Sequence, residues 1–373
     1  MTGDRHAFLP TAEEESLLKA CLAQGDEALL SWRAWRDRVD IENVDIGTQR
    51  LLPLLYDNLR THGVSDPILS RYKNVYRYVW LQNQLLARQA VEVLEVLTAA
   101  GVQGMLLKGI ALIPLYYSRF GLRPMNDIDV VVRPETGGCS IDALRRAGWR
   151  VKDPDWSDRK IGHDHAVALE RGPFELDLHW RVLQEKHSVA YEEFWLAGQT
   201  IAILGKPAKT LSDTDHLLHT CAHGARLNAV SPIRWVADAA VILRSASIDW
   251  ARFMRATRTL GLVLPVRETL AYVGRTLPCS VPAHVIAELQ AMPVTRSEKL
   301  DFEARLSSLG FRRIVVRYYR EHARTPQGAG SPLTFLRNVQ IAWGVTSMAG
   351  TVPEGIRRTF RLYFRRKRQS VRT

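Results

Sequence analysis

Three acidic residues carry the chemistry that this chain could perform. Residues 127–132 (DIDVVV) are β-branched and bounded by Pro124 and Pro134, which predicts a strand. Side chains two apart on a strand share a face, so Asp127 and Asp129 project together, opposite Ile128 and Val130. Residues 174–180 (FELDLHW) repeat the pattern, with Glu175, Asp177 and His179 on one face and Phe174, Leu176, Leu178 and Trp180 on the other. Two such strands could be solvated sheet edges, or neighbours converging on a metal. Clustered carboxylates repel one another unless a cation neutralises them. Mg²⁺, or Mn²⁺ in its place, suits oxygen donors and leaves room for water and substrate phosphates. Such ions can activate an attacking oxygen and stabilise a leaving pyrophosphate.

The pair of aspartates alone decides little, because short acidic motifs recur by chance. Their surroundings add weight. Lys108 and Gly109 fall between a predicted strand and a predicted helix, where glycine lets backbone amides approach a phosphate. Lys108 and Arg123 could add charge-assisted bonds to a triphosphate. Asn126 directly precedes the acidic strand. Each also has a plainer reading, as a tight turn or a surface cation.

The elements that must position these residues follow from periodicity. From about residue 11 to 100 the apolar pattern is helical, opening on a capping box between Thr11 and Glu14. The stretch 80–99 lacks Gly and Pro and ends at Gly101, a C-terminal cap. Strands are expected at 102–107, 127–132, 166–169 and 174–180, with helices over 110–117 and 140–147, which makes 100–205 an α/β unit. Helix returns after Ser212, and 325–332 (TPQGAGSP) reads as a linker. The domain expectation is a helical region 1–85, a core 86–205, a second helical domain 206–325, and a linker with a basic tail 326–373.

Length and composition agree with a folded, multi-domain chain: 373 residues, 46% hydrophobic and 24% charged. Eight of the formal +12 charges lie in 357–373, so the rest carries only +4, which weakens any inference from charge to nucleic-acid binding. Four scattered cysteines argue against a zinc ribbon or disulfide framework. They fit a reducing compartment, and with no leader pattern and no apolar run long enough to span a bilayer, a cytoplasmic protein is expected.

Three blocks in order, LLKGIALIPLYY, RPMNDIDVVV and FELDLHW, resemble the bacterial family of uncharacterised nucleotidyltransferases within the DNA polymerase β-like superfamily. The resemblance covers about 85–245 and includes HLLHTCAHG and IRWVADAAVIL. It implies an α/β (α+β) core with a small mixed sheet, flanked by N-terminal and C-terminal helical regions, using Mg²⁺ and a nucleoside triphosphate. Asp127 and Asp129 match the paired metal ligands and Asp177 the third carboxylate. Lys108 and Gly109 match the phosphate-binding turn, although many superfamily members have Gly-Ser there.

The function expected on this basis is transfer of a nucleoside monophosphate to an acceptor hydroxyl or phosphate on a small molecule, saccharide or peptide, releasing pyrophosphate. Alternatives are a toxin that nucleotidylates a protein or tRNA, a glycosyltransferase using a nucleotide-sugar, and a nucleotide-binding scaffold without turnover. His179 could bind phosphate or orient the acceptor, and Arg234 could contact the nucleotide, though an i,i+4 ion pair with Asp238 is its simplest reading. His163 and His165 could form a metal pair but better suit a loop at the strand entrance. His216, His219 and His223 share a helical face and are expected to be core or pocket-lining rather than zinc ligands. The tail interleaves Arg with Phe360, Tyr363 and Phe364 and could bind RNA, an acidic membrane surface or an acidic partner, or simply be solvated.

Overall fold

Helix begins where the sequence offers a cap. In the protein's structure, a computed structural model, Thr11 Oγ1 accepts from the Glu14 amide while the Glu14 carboxylate accepts from the Thr11 amide, opening α1 (Ala12–Leu22). The structure describes residues 8–154, 156–158, 161, 165–183, 188–226, 231 and 233–306; His163, the 325–332 linker and the basic tail lie outside the described residues. α2 (Gly25–Arg36), α3 (Ile46–Gln49), α4 (Leu52–Thr61) and α5 (Ile68–Ala99) follow. After α5 the chain leaves at Gly101 with φ +72°, a left-handed conformation that glycine adopts without a Cβ clash.

The mixed region runs β1 (Met105–Leu107), α6 (Lys108–Leu112), β2 (Asp127–Val131), α7 (Gly137–Arg146), β3 (Arg150–Val151), β4 (Ala166–Arg171), β5 (Phe174–His179), α8 (Ser188–Ala197), β6 (Gln199–Ile203) and β7 (Lys206–Thr210). The helix expected over 110–117 is interrupted: α6 stops at Leu112 and a wider π-type spiral covers Ile113–Tyr117. Pro114 explains this, since it lacks the N–H that would continue the α-helical ladder. The seven strands form one sheet in the order β3-β4-β5-β2-β1-β7-β6. β2 pairs with β5 and β1 with β7 in parallel, and the remaining pairs are antiparallel. The β6–β7 hairpin, which periodicity did not signal, brings residues 206–210 into the sheet beside β1.

Alternation along β2 and β5 is as the sequence predicts. Ile128, Val130, Leu176 and Leu178 pack with Leu86, Ala90 and Val93 of α5 and with Ile141 and Leu144 of α7. The opposite face carries the acids. A second core joins the N-terminal helices to the C-terminal set, α9 (Asp213–Gly224), α10 (Arg234–Ser245), α11 (Trp250–Thr259), α12 (Val263–Thr276), α13 (Ala283–Ala291) and α14 (Arg296–Leu306). Leu17 and Leu55 share it with Leu217, Val236 and Val273, and the Phe8 ring lies 6.4 Å from Trp235 and 5.9 Å from Phe302.

The loop that delivers β2 is clamped from both sides. Asn83 of α5 donates from Nδ2 to the Phe120 (2.5 Å) and Arg123 (2.8 Å) carbonyls, and its Oδ1 accepts from the Met125 amide (3.3 Å). Asp238 of α10 accepts from Arg123 Nε (2.7 Å) and Nη2 (2.8 Å) and from the Tyr117 hydroxyl (2.6 Å). The ion pair expected between Arg234 and Asp238 does not form. The buried Arg123 fork takes both Asp238 oxygens, and Arg234 Nη1 donates instead to the Pro124 carbonyl at 2.7 Å.

Two predictions follow from these buried groups. Asp238→Ala leaves the Arg123 charge buried without a counter-ion, and chemical denaturation should show a loss of about 3–5 kcal/mol. His216 of α9 bonds through Nε2 to Thr210 Oγ1 (3.1 Å), and burial lowers its pKa to about 3. The unfolded chain therefore binds the extra proton between pH 6.5 and about 3. Stability contributed by neutral His216 should be present above pH 6.5 and fall by about 2 kcal/mol between pH 7 and pH 5. Denaturation of His216→Gln at the two pH values should lack that component.

Candidate active site

The parallel register of β2 and β5 sets Asp129 directly opposite Asp177 and Asp127 opposite Glu175. One ligand atom from each of Asp129, Asp177 and His179 lies within 4.8 Å of the others. The sequence led to a trio of Asp127, Asp129 and Asp177. The structure draws His179 into the tight group, while Asp127, half-buried at the start of β2, stands beside it. Asn126 is exposed at the bend before Asp127.

Asp129 is almost fully buried, at 3% exposure, and its Oδ1 accepts from both Lys108 Nζ (2.5 Å) and His179 Nε2 (2.9 Å). Burial raises the pKa of its carboxyl, but the Lys108 ammonium and the His179 bond outweigh it and hold Asp129 well below the usual carboxylate range. Asp177 and Asp127 are pushed up, first by burial and then by the negative charge of Asp129. No described residue donates to Asp129 Oδ2.

Lys108 reaches Asp129 because β1 turns sharply into α6. Leu107 pairs with Asp129, and the next residue, Lys108, has φ +49°. A left-handed conformation costs a residue with a Cβ on the order of 1–2 kcal/mol, yet a lysine rather than a glycine occupies it. Its ammonium on Asp129 is the compensating contact. Gly109 is required for space. A Cβ there would lie 2.5 Å from Arg123 Nη1 and 2.7 Å from Met125. Arg123 thus braces the turn from beneath, with its Nε and Nη2 held by Asp238.

Further histidines gather here. The His165 ring lies 5.6 Å from that of His179. His219 of α9 is buried, and burial together with the nearby Lys108 charge holds its pKa well below the usual value. His223 stacks on it at 5.6 Å, whereas His216 serves Thr210, so the three do not form a metal-binding group among the described residues. Sequence reasoning missed Arg50, just beyond α3, whose charge reaches Asp127. An isolated arginine in an apolar stretch gives no periodic signal.

The donor set fits a divalent cation. Two facing carboxylates, one with an oxygen lacking a donor and the other resisting ionisation, offer the oxygen-rich seat that Mg²⁺ or Mn²⁺ prefers. His179 orients Asp129 through Nε2, as outer-shell imidazoles do.

Residues 46–278 match the family described as uncharacterised nucleotidyltransferase, and the chain belongs to that family. It is therefore a nucleotidyltransferase, an enzyme that moves a nucleoside monophosphate. Among solved structures, it shows 17% identity to the antibiotic-resistance factor ANT(2'')-Ia over 51% of this chain and 94% of that one, with a TM-score of 0.32. No curated protein matches the chain. Among the described residues, no helix is long and apolar enough to cross a membrane.

Lys108→Met should unmask the repulsion between the acids. Calorimetry should show a lower melting temperature without divalent ions and a larger upward shift on adding Mg²⁺ than in the wild type. An equal or smaller shift would contradict the role given to the ammonium.

Proposed function

We propose that the enzyme transfers a nucleoside monophosphate from a nucleoside triphosphate to an acceptor hydroxyl or phosphate, with Mg²⁺ or Mn²⁺ seated at Asp129 and Asp177. The single observation that carries this reading is the direct pairing of those two residues across parallel strands, with their ligand atoms and that of His179 within 4.8 Å. A divalent ion there would neutralise the acids and the charge developing on the phosphoryl oxygens.

The protein's own groups divide the remaining work. His179 and Lys108 fix the orientation of Asp129 from one oxygen, leaving the other available. Asp177, facing Asp129 across the paired strands, is suited to take the proton from the acceptor. The acceptor oxygen then bonds to the α-phosphorus, the bond from that phosphorus to the bridging oxygen breaks, and pyrophosphate leaves. Asp127 and the Lys108–Gly109 turn border the site on the donor side. Positioning and charge neutralisation supply the rate enhancement, since the protein forms no covalent bond itself.

The reading is tested by incubating the protein with each labelled nucleoside triphosphate, Mg²⁺ or Mn²⁺, and a panel of hydroxyl and phosphate acceptors. Pyrophosphate should appear only with a divalent ion. Asp129→Asn and Asp177→Asn should each slow its release by about 10²–10³-fold. Thermal stabilisation by nucleotide-sugars in preference to triphosphates would favour a glycosyltransferase instead.

A further inference from the structure

Two arginines beside Asp127 have no carboxylate bonded to them among the described residues. The Arg123 charge is matched by Asp238. Among the described residues Arg234 hydrogen-bonds to a neutral acceptor, the Pro124 carbonyl, three residues before Asp127, and to no carboxylate. Arg50 is half-buried, and its side chain makes no hydrogen bond or ion pair with any described residue.

The position of Arg50 is nonetheless well determined. Asp45 Oδ1 caps α3 by accepting from the Gly47 (2.6 Å) and Thr48 (3.2 Å) amides, and Oδ2 accepts from Thr48 Oγ1 (2.6 Å). Gly47 lies flat against the segment entering α10, where a Cβ would stand 3.0 Å from Ser231 Cβ and 3.1 Å from its carbonyl oxygen. The Arg50 amide continues the turn by bonding to the Ile46 carbonyl at 3.2 Å. Thus α3 is seated against Ser231, three residues before Arg234, and the Arg50 charge interacts with that of Asp127. Burial lowers the pKa of both arginines, Arg234 to about 10, and the neighbouring Arg123 charge adds to the effect, while Asp127 opposes it.

We propose that Arg50 and Arg234 form a polyphosphate clamp, contributed by the N-terminal and C-terminal helical regions, which holds the triphosphate of the donor beside Asp127. This rests on the nucleotidyltransferase reading above and deepens it by assigning the donor's anionic end. Lys108 is engaged by Asp129, so a triphosphate needs further cations. Two guanidinium forks supply planar, paired donors suited to phosphate oxygens. Guanidinium groups with no bonded carboxylate, in a partly desolvated place, gain from an incoming anion. The family match begins at residue 46, so Arg50 lies within the shared region.

The test is calorimetric titration of the full chain with inorganic tripolyphosphate, at low salt and without divalent ions. The wild type should bind. Arg50→Gln and Arg234→Gln should each weaken binding about tenfold or more. Arg50→Lys should recover part of the loss, and Arg33→Gln, at an exposed position of α2, should change nothing. Melting temperatures of the unliganded proteins check folding; Arg50→Gln should match the wild type, since its side chain has no bonded partner among the described residues. In turnover, Arg50→Gln should raise KM for the triphosphate more than it lowers kcat. A folded Arg50→Gln protein that binds tripolyphosphate like the wild type overturns the clamp, as does a wild type that does not bind it. Absence of pyrophosphate release from the wild type, with binding still dependent on Arg50, would overturn the reaction and leave the clamp standing.

Discussion

Two carboxylates held opposite each other on adjacent parallel strands govern the whole arrangement. Asp129 and Asp177 face one another because β2 and β5 pair in a single register, and a slip of one residue in either strand would turn that strand's carboxylate into the hydrophobic core. Their repulsion is tolerated because Lys108 and His179 both bond to one oxygen of Asp129. The pair is therefore preorganised and electrostatically incomplete, which is the condition under which a cation gains most from the site.

Much of the surrounding structure serves to keep that register and that turn in place. Asn83 of α5 and Asp238 of α10 grip the loop before β2 from opposite sides. Arg123 links them, bonding Asp238 while its Nη1 fills the space over Gly109. The buried ion pair thus couples the C-terminal helices to the Lys108–Gly109 turn. A pair of this kind adds little net stability over an apolar substitute, but it specifies one arrangement, because either partner alone would be a buried uncompensated charge.

The helical regions that precede and follow the sheet in the chain are not independent of each other. Phe8, Leu17 and Leu55 share one core with Trp235, Val236 and Val273. That shared core explains how α3, early in the chain, comes to lie against Ser231, just ahead of α10. For a nucleotidyltransferase this matters, since cations brought from distant parts of the chain can face the same anion while the sheet supplies the acids.

The sequence by itself determined the local pattern: the capping box at Thr11, the end of α5 at Gly101, and the alternation that puts Asp127 with Asp129 and Asp177 with His179. These follow from nearest-neighbour periodicity and turn chemistry, which are written in a few consecutive residues. Its ordered blocks also indicated the family. Only the tertiary structure decided that His179 joins Asp129 and Asp177 in the tight group, that Lys108 closes on Asp129, that Asp238 takes Arg123 instead of Arg234, and that the Arg50 charge acts on Asp127. Those outcomes depend on strand register and on packing between segments far apart in the chain. A buried charge pairs with whichever partner the fold brings nearest, and no local spacing encodes that distance.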